Sequence, residues 1–235
     1  MPAADEREPW LPGWELDKIL NETPYHYYPE ECLWLRDMGC RLFGLGAIRS
    51  YEGLEVPERY RAGTSGNLAV EIARAAPGTC AFITTPQGGN KGELDPEQCV
   101  AVIETSWPDP EKGLPGIMYY MALEDFRPSS DATVMGRAFE AMDEMGEAEP
   151  NPVAAYAHFH RVISASDGQV EIPYPATIPS DWSAFDKALR RGWRRFNLIG
   201  HTSKPGEPKR PDAAIVLGRS MEEVARMIPM LITGS

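Results

Sequence analysis

No run in the sequence approaches the ~20 uninterrupted apolar residues that a membrane-spanning helix needs. The N-terminal MPAADEREPW is acidic where a secretory signal would be basic and then apolar. No membrane partner is therefore expected, and the expected location is cytoplasmic. Basic residues are scarce as well: 23 Lys and Arg stand against 35 Asp and Glu, a net charge of -12. Affinity for a polyanion comes chiefly from Lys and Arg neutralising phosphates, so a nucleic-acid partner is excluded and the acidity is assigned to solubility. Cysteine is limited to Cys32, Cys40, Cys80 and Cys99. They form no CxxC pair, which removes a zinc knuckle or disulfide framework and leaves four free thiols. The sequence also lacks GxSxG, a P-loop, HExxH, and GxGxxG after a strand, so several common enzyme classes fall away. It has no internal repeat and no low-complexity tract.

What is there is an ordinary globular composition, 43% hydrophobic and 25% charged over 235 residues, enough for one substantial core. Residues 1–28, rich in Pro and aromatics, read as an irregular N-terminal arm, and 29–235 as a single domain. In the arm, His26 lies among tyrosines and reads as a packed or surface group. From Pro29 a helix is expected over 29–46, with Pro in the first turn, Glu30 and Glu31 behind it, and Leu35, Met38, Leu42 and Leu45 at helical spacing.

LAVEI and CAFITT flank APG as two strands joined by a turn, and CVAVIE (99–104) and GIMYYMALE (116–124) read as two more. A helix follows PSSD, carrying Val134, Ala138, Met142 and Met145. VAAYAHFHRVI (153–163) reads as a strand, SDWSAFDKALRRGW as a helix, FNLIGH and AAIVLG as strands. A last helix is announced by the capping box from Ser220 to Glu223. Arg190, Arg191, Arg194 and Arg195 read as a solvated helix face, with an anionic-substrate or subunit contact as the alternative. Interleaved strands and helices point to layered α/β.

The strongest chemical feature is His158-Phe159-His160 at the end of an apolar run. On a strand the two imidazoles leave the same face and can share one metal ion, although such pairs also arise by chance. His201 ends FNLIGH ahead of a Gly- and Pro-containing loop, as a displayed ligand or as the close of a turn. Gly63-Thr64-Ser65-Gly66-Asn67, Thr85-Pro86-Gln87-Gly88-Gly89 and Pro128-Ser129-Ser130-Asp131 offer hydroxyls and backbone N–H groups. They are ordinary turns and caps or an anion cradle. Asp131 is equally open: a helix cap, or an acid/base group beside a divalent metal.

Taken in order, AGTSGNLAV, ITTPQGGNKGELDPEQCVAV, RPSSD, VAAYAHFH and IVLGRSMEEV resemble the signature of the class II aldolase/adducin family, of fuculose-phosphate aldolase type, from about residue 30 to about 230. The resemblance implies a three-layer α/β/α sandwich around a mainly antiparallel sheet. It implies a divalent metal on His158, His160 and His201, zinc first, with iron, manganese or cobalt also suited to imidazole. It implies a substrate cradle of Asn67, Thr85, Gly88, Ser129 and Ser130, with Asp131 as acid/base.

The chain departs from the family pattern twice. Asp131 stands where the family carries Glu, and TSKPGEPKRP is inserted after His201, which makes Asp212 the next candidate for the third ligand. The implied activity is a metal-dependent lyase working by aldol or retro-aldol chemistry on a small hydroxycarbonyl substrate, phosphorylated or not, through a metal-stabilised enediolate. The same scaffold supports epimerases, dehydratases, decarboxylases and iron-dependent oxidative enzymes, and a non-catalytic adducin-like interaction domain. A homo-oligomer is implied too, a cyclic tetramer being the common form.

Overall fold

In the central strands, successive apolar side chains pass to opposite sides of one sheet and meet different helices. The computed structural model describes residues 11–52, 62–72, 81–123, 125–144, 155–172, 176, 178–200 and 208–233. Its strands are β1 (Trp14–Leu20), β2 (Asn67–Glu71), β3 (Phe82–Thr84), β4 (Val100–Ser106), β5 (Gly116–Met121), β6 (Ala155–Phe159), β7 (Gly168–Val170), β8 (Arg195–Ile199) and β9 (Pro211–Gly218). The helices are α1 (Pro29–Gly44), α2 (Ala132–Glu144), α3 (Ser183–Arg190) and α4 (Met221–Thr233).

The strands form one sheet in the order β1-β5-β4-β3-β2-β6-β9-β8-β7. The β1–β5 and β7–β8 pairs are parallel and the remaining pairs antiparallel. Tyr156, Ala69, Phe82 and Val102 pack with α2 and α3. Their neighbours Ala155, Ala157, Leu68, Val70, Ile83 and Ala101 pack with α1 and α4. Period-two alternation therefore builds the expected α/β/α sandwich. Buried rings such as Phe82, Phe139, Phe185 and Phe196 contribute about 1.5–3 kcal/mol each through burial. Among the described residues no helix is long and apolar enough to cross a membrane.

The paired strands around APG and WPDPEKGLPG form as expected, and α1 starts at Pro29 with Glu30 and Glu31 in its first turn. Ser220 caps α4, its Oγ accepting from the Glu223 N–H at 3.2 Å, while the Glu223 carboxylate accepts from the Arg219 N–H at 2.6 Å. Cys32, Cys40 and Cys99 are free thiols; Cys80 lies outside the described residues.

Three expectations need correction. Residues 14–20, assigned to an irregular arm, form β1, because W-E-L-D alternates apolar and acidic residues and Gly13, at φ 77°, sets the turn ahead of it. The helix expected over SDWSAFDKALRRGW is a 3-10 turn at Pro179–Trp182 followed by α3, which stops at Arg190 ahead of Gly192 at φ 82°. Arg194 and Arg195 consequently leave the helix: their backbone N–H groups donate to Asp167 Oδ2 at 2.7 and 2.9 Å. The short strand β7, paired with β8, had no counterpart among the expected elements.

Candidate functional site

The start of β2, the end of β6 and the start of α2 meet at one buried point. Asn67 and His158 are cross-strand partners in the antiparallel β2–β6 pair. Asp131 immediately precedes α2, and its carbonyl accepts the early helix bond from the Met135 N–H at 3.0 Å. Its carboxylate oxygen Oδ2 accepts from Asn67 Nδ2 at 2.6 Å and lies 2.9 Å from His158 Nδ1. Asn67 and Asp131 are 8% exposed and His158 2%. A carboxylate taken out of water needs such donors to hold its charge. An ionised carboxylate can only accept, so Nδ1 of His158 is the donor in this contact, and the ring's other nitrogen, Nε2, is buried. The ambiguity over Asp131 narrows accordingly: whatever capping it does, its carboxylate reaches His158 and Asn67. His160 lies one residue past β6, its ring centre 5.1 Å from that of His158.

Glycine-rich turns press against this point. Gly66 has φ 75°, and a β-carbon there would fall 2.6 Å from the His158 carbonyl oxygen and 2.8 Å from Ile48 Cγ2. Only glycine allows both the left-handed backbone and that approach. The Thr64 N–H donates to the Gly89 carbonyl at 3.2 Å, joining the first Gly-rich turn to the one around Gly88, which has φ 70°. The Gln87 N–H donates to the Arg127 carbonyl at 3.0 Å, and Arg127 Nε donates to Gln87 Oε1 at 2.6 Å. The Gly88 turn is thereby tied to the segment leading into Ser129 and Ser130. Ser129 Oγ accepts from the Asp131 N–H at 3.3 Å. Thr85 is fully buried, and its hydroxyl accepts from the Leu68 N–H at 3.3 Å, a contact within the sheet.

Sequence reasoning missed Lys91, because a lysine in a glycine-rich turn reads as solvent-exposed. It is buried, and Nζ donates to the carbonyls of Thr64 at 2.9 Å and Gly89 at 3.3 Å. Burial pushes its ammonium down to about 8, while the nearby charge of Asp131 acts in the opposite direction. The Tyr156 phenol is raised well above its ordinary value by burial and then by Asp131. One cation thus fastens two turns beneath a buried carboxylate.

His160 and Asp212 line a common cleft of about 520 Å³ together with Arg49 and Arg210. His201 lies outside the described residues. Among the described residues no three His, Cys, Asp or Glu side chains gather as a metal-holding group.

No protein-family model and no curated protein matches the sequence. Solved structures do resemble the fold. A sugar-phosphate aldolase from Thermotoga maritima superposes with a TM-score of 0.59 at 12% identity, over 88% of this chain and 92% of that one. YgbL from Klebsiella pneumoniae, named provisionally as an aldolase/epimerase/decarboxylase, superposes with a TM-score of 0.50 at 15% identity, over 87% of this chain and 86% of that one. The fold is class II aldolase-like. In this aldolase-like fold the residues His158, Asn67 and Asp131, widely separated in sequence, come from two neighbouring central strands and the turn that opens the helix packed on them. A site carried by such elements is held more rigidly than one carried by loops alone.

Proposed function

We propose that the protein is a metal-dependent carbon–carbon lyase that performs aldol or retro-aldol chemistry on a small hydroxycarbonyl compound. The observation that carries this reading is the buried Asn67–Asp131–His158 arrangement, at 2.6 and 2.9 Å, with His160 beside it. The donor set suits a divalent ion. Two imidazoles on one tetrahedral ion, each bonded at about 2.0–2.1 Å, have ring centres ~5 Å apart, against 5.1 Å for His158 and His160. A carboxylate on the far nitrogen is the usual partner of a ligating histidine. His158 and His160 would hold the ion, with His201, or Asp212, which lines the same cleft as His160, completing the set. Zinc is the first expectation, and iron, manganese or cobalt also suit imidazole. When bound, the ion supplies Lewis acidity toward a carbonyl oxygen.

The chain's own residues do the rest. Asn67 fixes the Asp131 carboxylate by donating to Oδ2, and Asp131 fixes the tautomer and aim of His158. The same carboxylate moves the proton to or from the substrate carbon. Ser129, Ser130 and the Gly88 turn bind polar groups of the substrate, as glycine-rich turns and helix starts do. Asp131 is one methylene shorter than Glu, so the substrate carbon must approach α2 more closely for proton transfer.

The test is elemental analysis of protein purified without chelator, followed by a panel of phosphorylated and unphosphorylated hydroxycarbonyl compounds assayed for cleavage products. Stoichiometric divalent metal with cleavage that is lost in His158→Ala supports the lyase. Iron accompanied by oxygen uptake, or protein with no bound metal and no change on His158→Ala, overturns it.

A further inference from the structure

Two guanidinium groups line the cleft beside His160. Arg49 follows α1 at a point where residues 49–51 run against 63–65. Its N–H donates to Ser65 Oγ at 3.0 Å, the Ser65 N–H returns to the Arg49 carbonyl at 2.9 Å, and the Tyr51 N–H donates to the Gly63 carbonyl at 3.0 Å. Arg210 enters β9, its carbonyl accepting from the Gly200 N–H at 2.9 Å. Both backbones are pinned, yet neither side chain makes an ion pair or hydrogen bond with any of the described residues. Arg137, Arg190 and Arg195, by contrast, each engage a carboxylate.

Free guanidinium groups would be unremarkable on open surface, but these share a cleft of about 520 Å³, within the ~300–1,000 Å³ of small-molecule sites. The cleft sets two cations against the one carboxylate of Asp212, in a chain whose net charge is -12. Ser50 and Ser65 add hydroxyls to the same wall. The backbone N–H groups of Glu52 and Arg49 donate to their Oγ atoms, so each hydroxyl hydrogen is turned elsewhere. A planar guanidinium fork matches the oxygens of a phosphate or carboxylate.

We infer that this cleft is an anion subsite in which Arg49 and Arg210 hold a phosphate or carboxylate group of the substrate while its reacting carbons lie toward His160 and His158. The word substrate rests on the lyase reading; the binding of the anion does not. The subsite is separate from the turns around Gly88 and Ser129, none of whose residues line it. A molecule spanning from Arg49 and Arg210 to Asp131 has its acidic group at one end and its hydroxycarbonyl at the other.

The experiment is isothermal titration of the full chain, as purified and again after chelator treatment, with inorganic phosphate in one arm and succinate in the other. Saturable binding of one anion in both preparations is expected, weakened at least fivefold by Arg49→Gln and by Arg210→Gln. The exposed helix residue Arg226 provides the charge-matched control, and Arg226→Gln should leave the affinity unchanged. Binding of phosphate alone assigns a phosphate monoester, and of succinate alone a carboxylate. Absence of binding by either anion overturns the subsite, as does equal weakening by Arg226→Gln, which would mark a response to overall charge. Neither turnover nor bound metal enters the measurement, so failure of the lyase proposal would appear in the cleavage assay and failure of the subsite here.

Discussion

A β-carbon on Gly66 would stand 2.6 Å from the carbonyl oxygen of His158, so the first glycine-rich turn is seated directly on the strand that bears His158 and leads into His160. Gly66→Ala combines this overlap with φ 75°, a left-handed backbone that costs a residue with a side chain about 1–2 kcal/mol. A loss of roughly 2–4 kcal/mol in urea unfolding is expected once overpacking is included. An unchanged midpoint would show that the turn has room to withdraw.

Asp131→Asn keeps the shape of the side chain and removes the charge that His158 and Asn67 face. Metal affinity, measured by chelator competition, is expected to fall about 10- to 100-fold, as for other carboxylates that orient a ligating histidine. If proton transfer also depends on this carboxylate, turnover drops by roughly 100-fold or more beyond what metal loading explains. Full metal affinity in the variant would contradict the orienting role.

Lys91 gives the fold a signature at alkaline pH. Its ordinary value is 10.5 and burial brings it to about 8 in the folded protein. Below pH 8 both states carry the proton and the folded state bears the whole cost of a buried charge. Between about 8 and 10.5 the unfolded chain holds a proton that the folded chain lacks, so stability rises with pH, by roughly 3 kcal/mol across the window. The difference in unfolding free energy between the natural chain and Lys91→Met should carry this slope, and parallel curves would refute it.

Arg137 joins α2 to α3 through a two-pronged contact, Nε to Asp186 Oδ1 at 3.0 Å and Nη2 to Oδ2 at 2.9 Å, with Nη1 on Glu140 at 2.7 Å. Lysine cannot reproduce the fork. Arg137→Lys is expected to lower stability by about 1–2 kcal/mol. Arg36→Lys, at the exposed Arg36–Asp37 pair, should change it by less than about 0.5 kcal/mol. Denaturant midpoints of the two variants side by side decide the matter.

Much of the architecture could be read in advance because its signals are local. The paired strands around APG and around the Pro-rich segment, the Pro29 helix start and the Ser220 cap all depend on residues a few positions apart. The same holds for His158, whose position follows from alternation along β6. The meeting of Asn67, Asp131 and His158 is different. It joins residues 64 and 27 positions apart, and a Ser-Ser-Asp helix start reads alike whether its carboxylate faces solvent or a histidine. Strand β7 has three residues, too few for a period to declare itself, and the prolines ahead of β1 obscured its alternation. Lys91, Arg49 and Arg210 sit in turn-like sequence whose burial or company only the folded chain decides.

Strand β6 stores its chemistry as parity. Tyr156 and His158 share one side of the sheet, Ala155, Ala157 and Phe159 the other. Removing a single residue from 155–157 would exchange the two sets, carrying the imidazole into the apolar layer under α1 and α4 and setting Phe159 opposite Asp131. Substitutions along this strand can therefore be graded one by one, whereas any odd change in its length erases the site at once. Lineages of this protein should vary freely in the loops that flank β6 while keeping its residue count fixed.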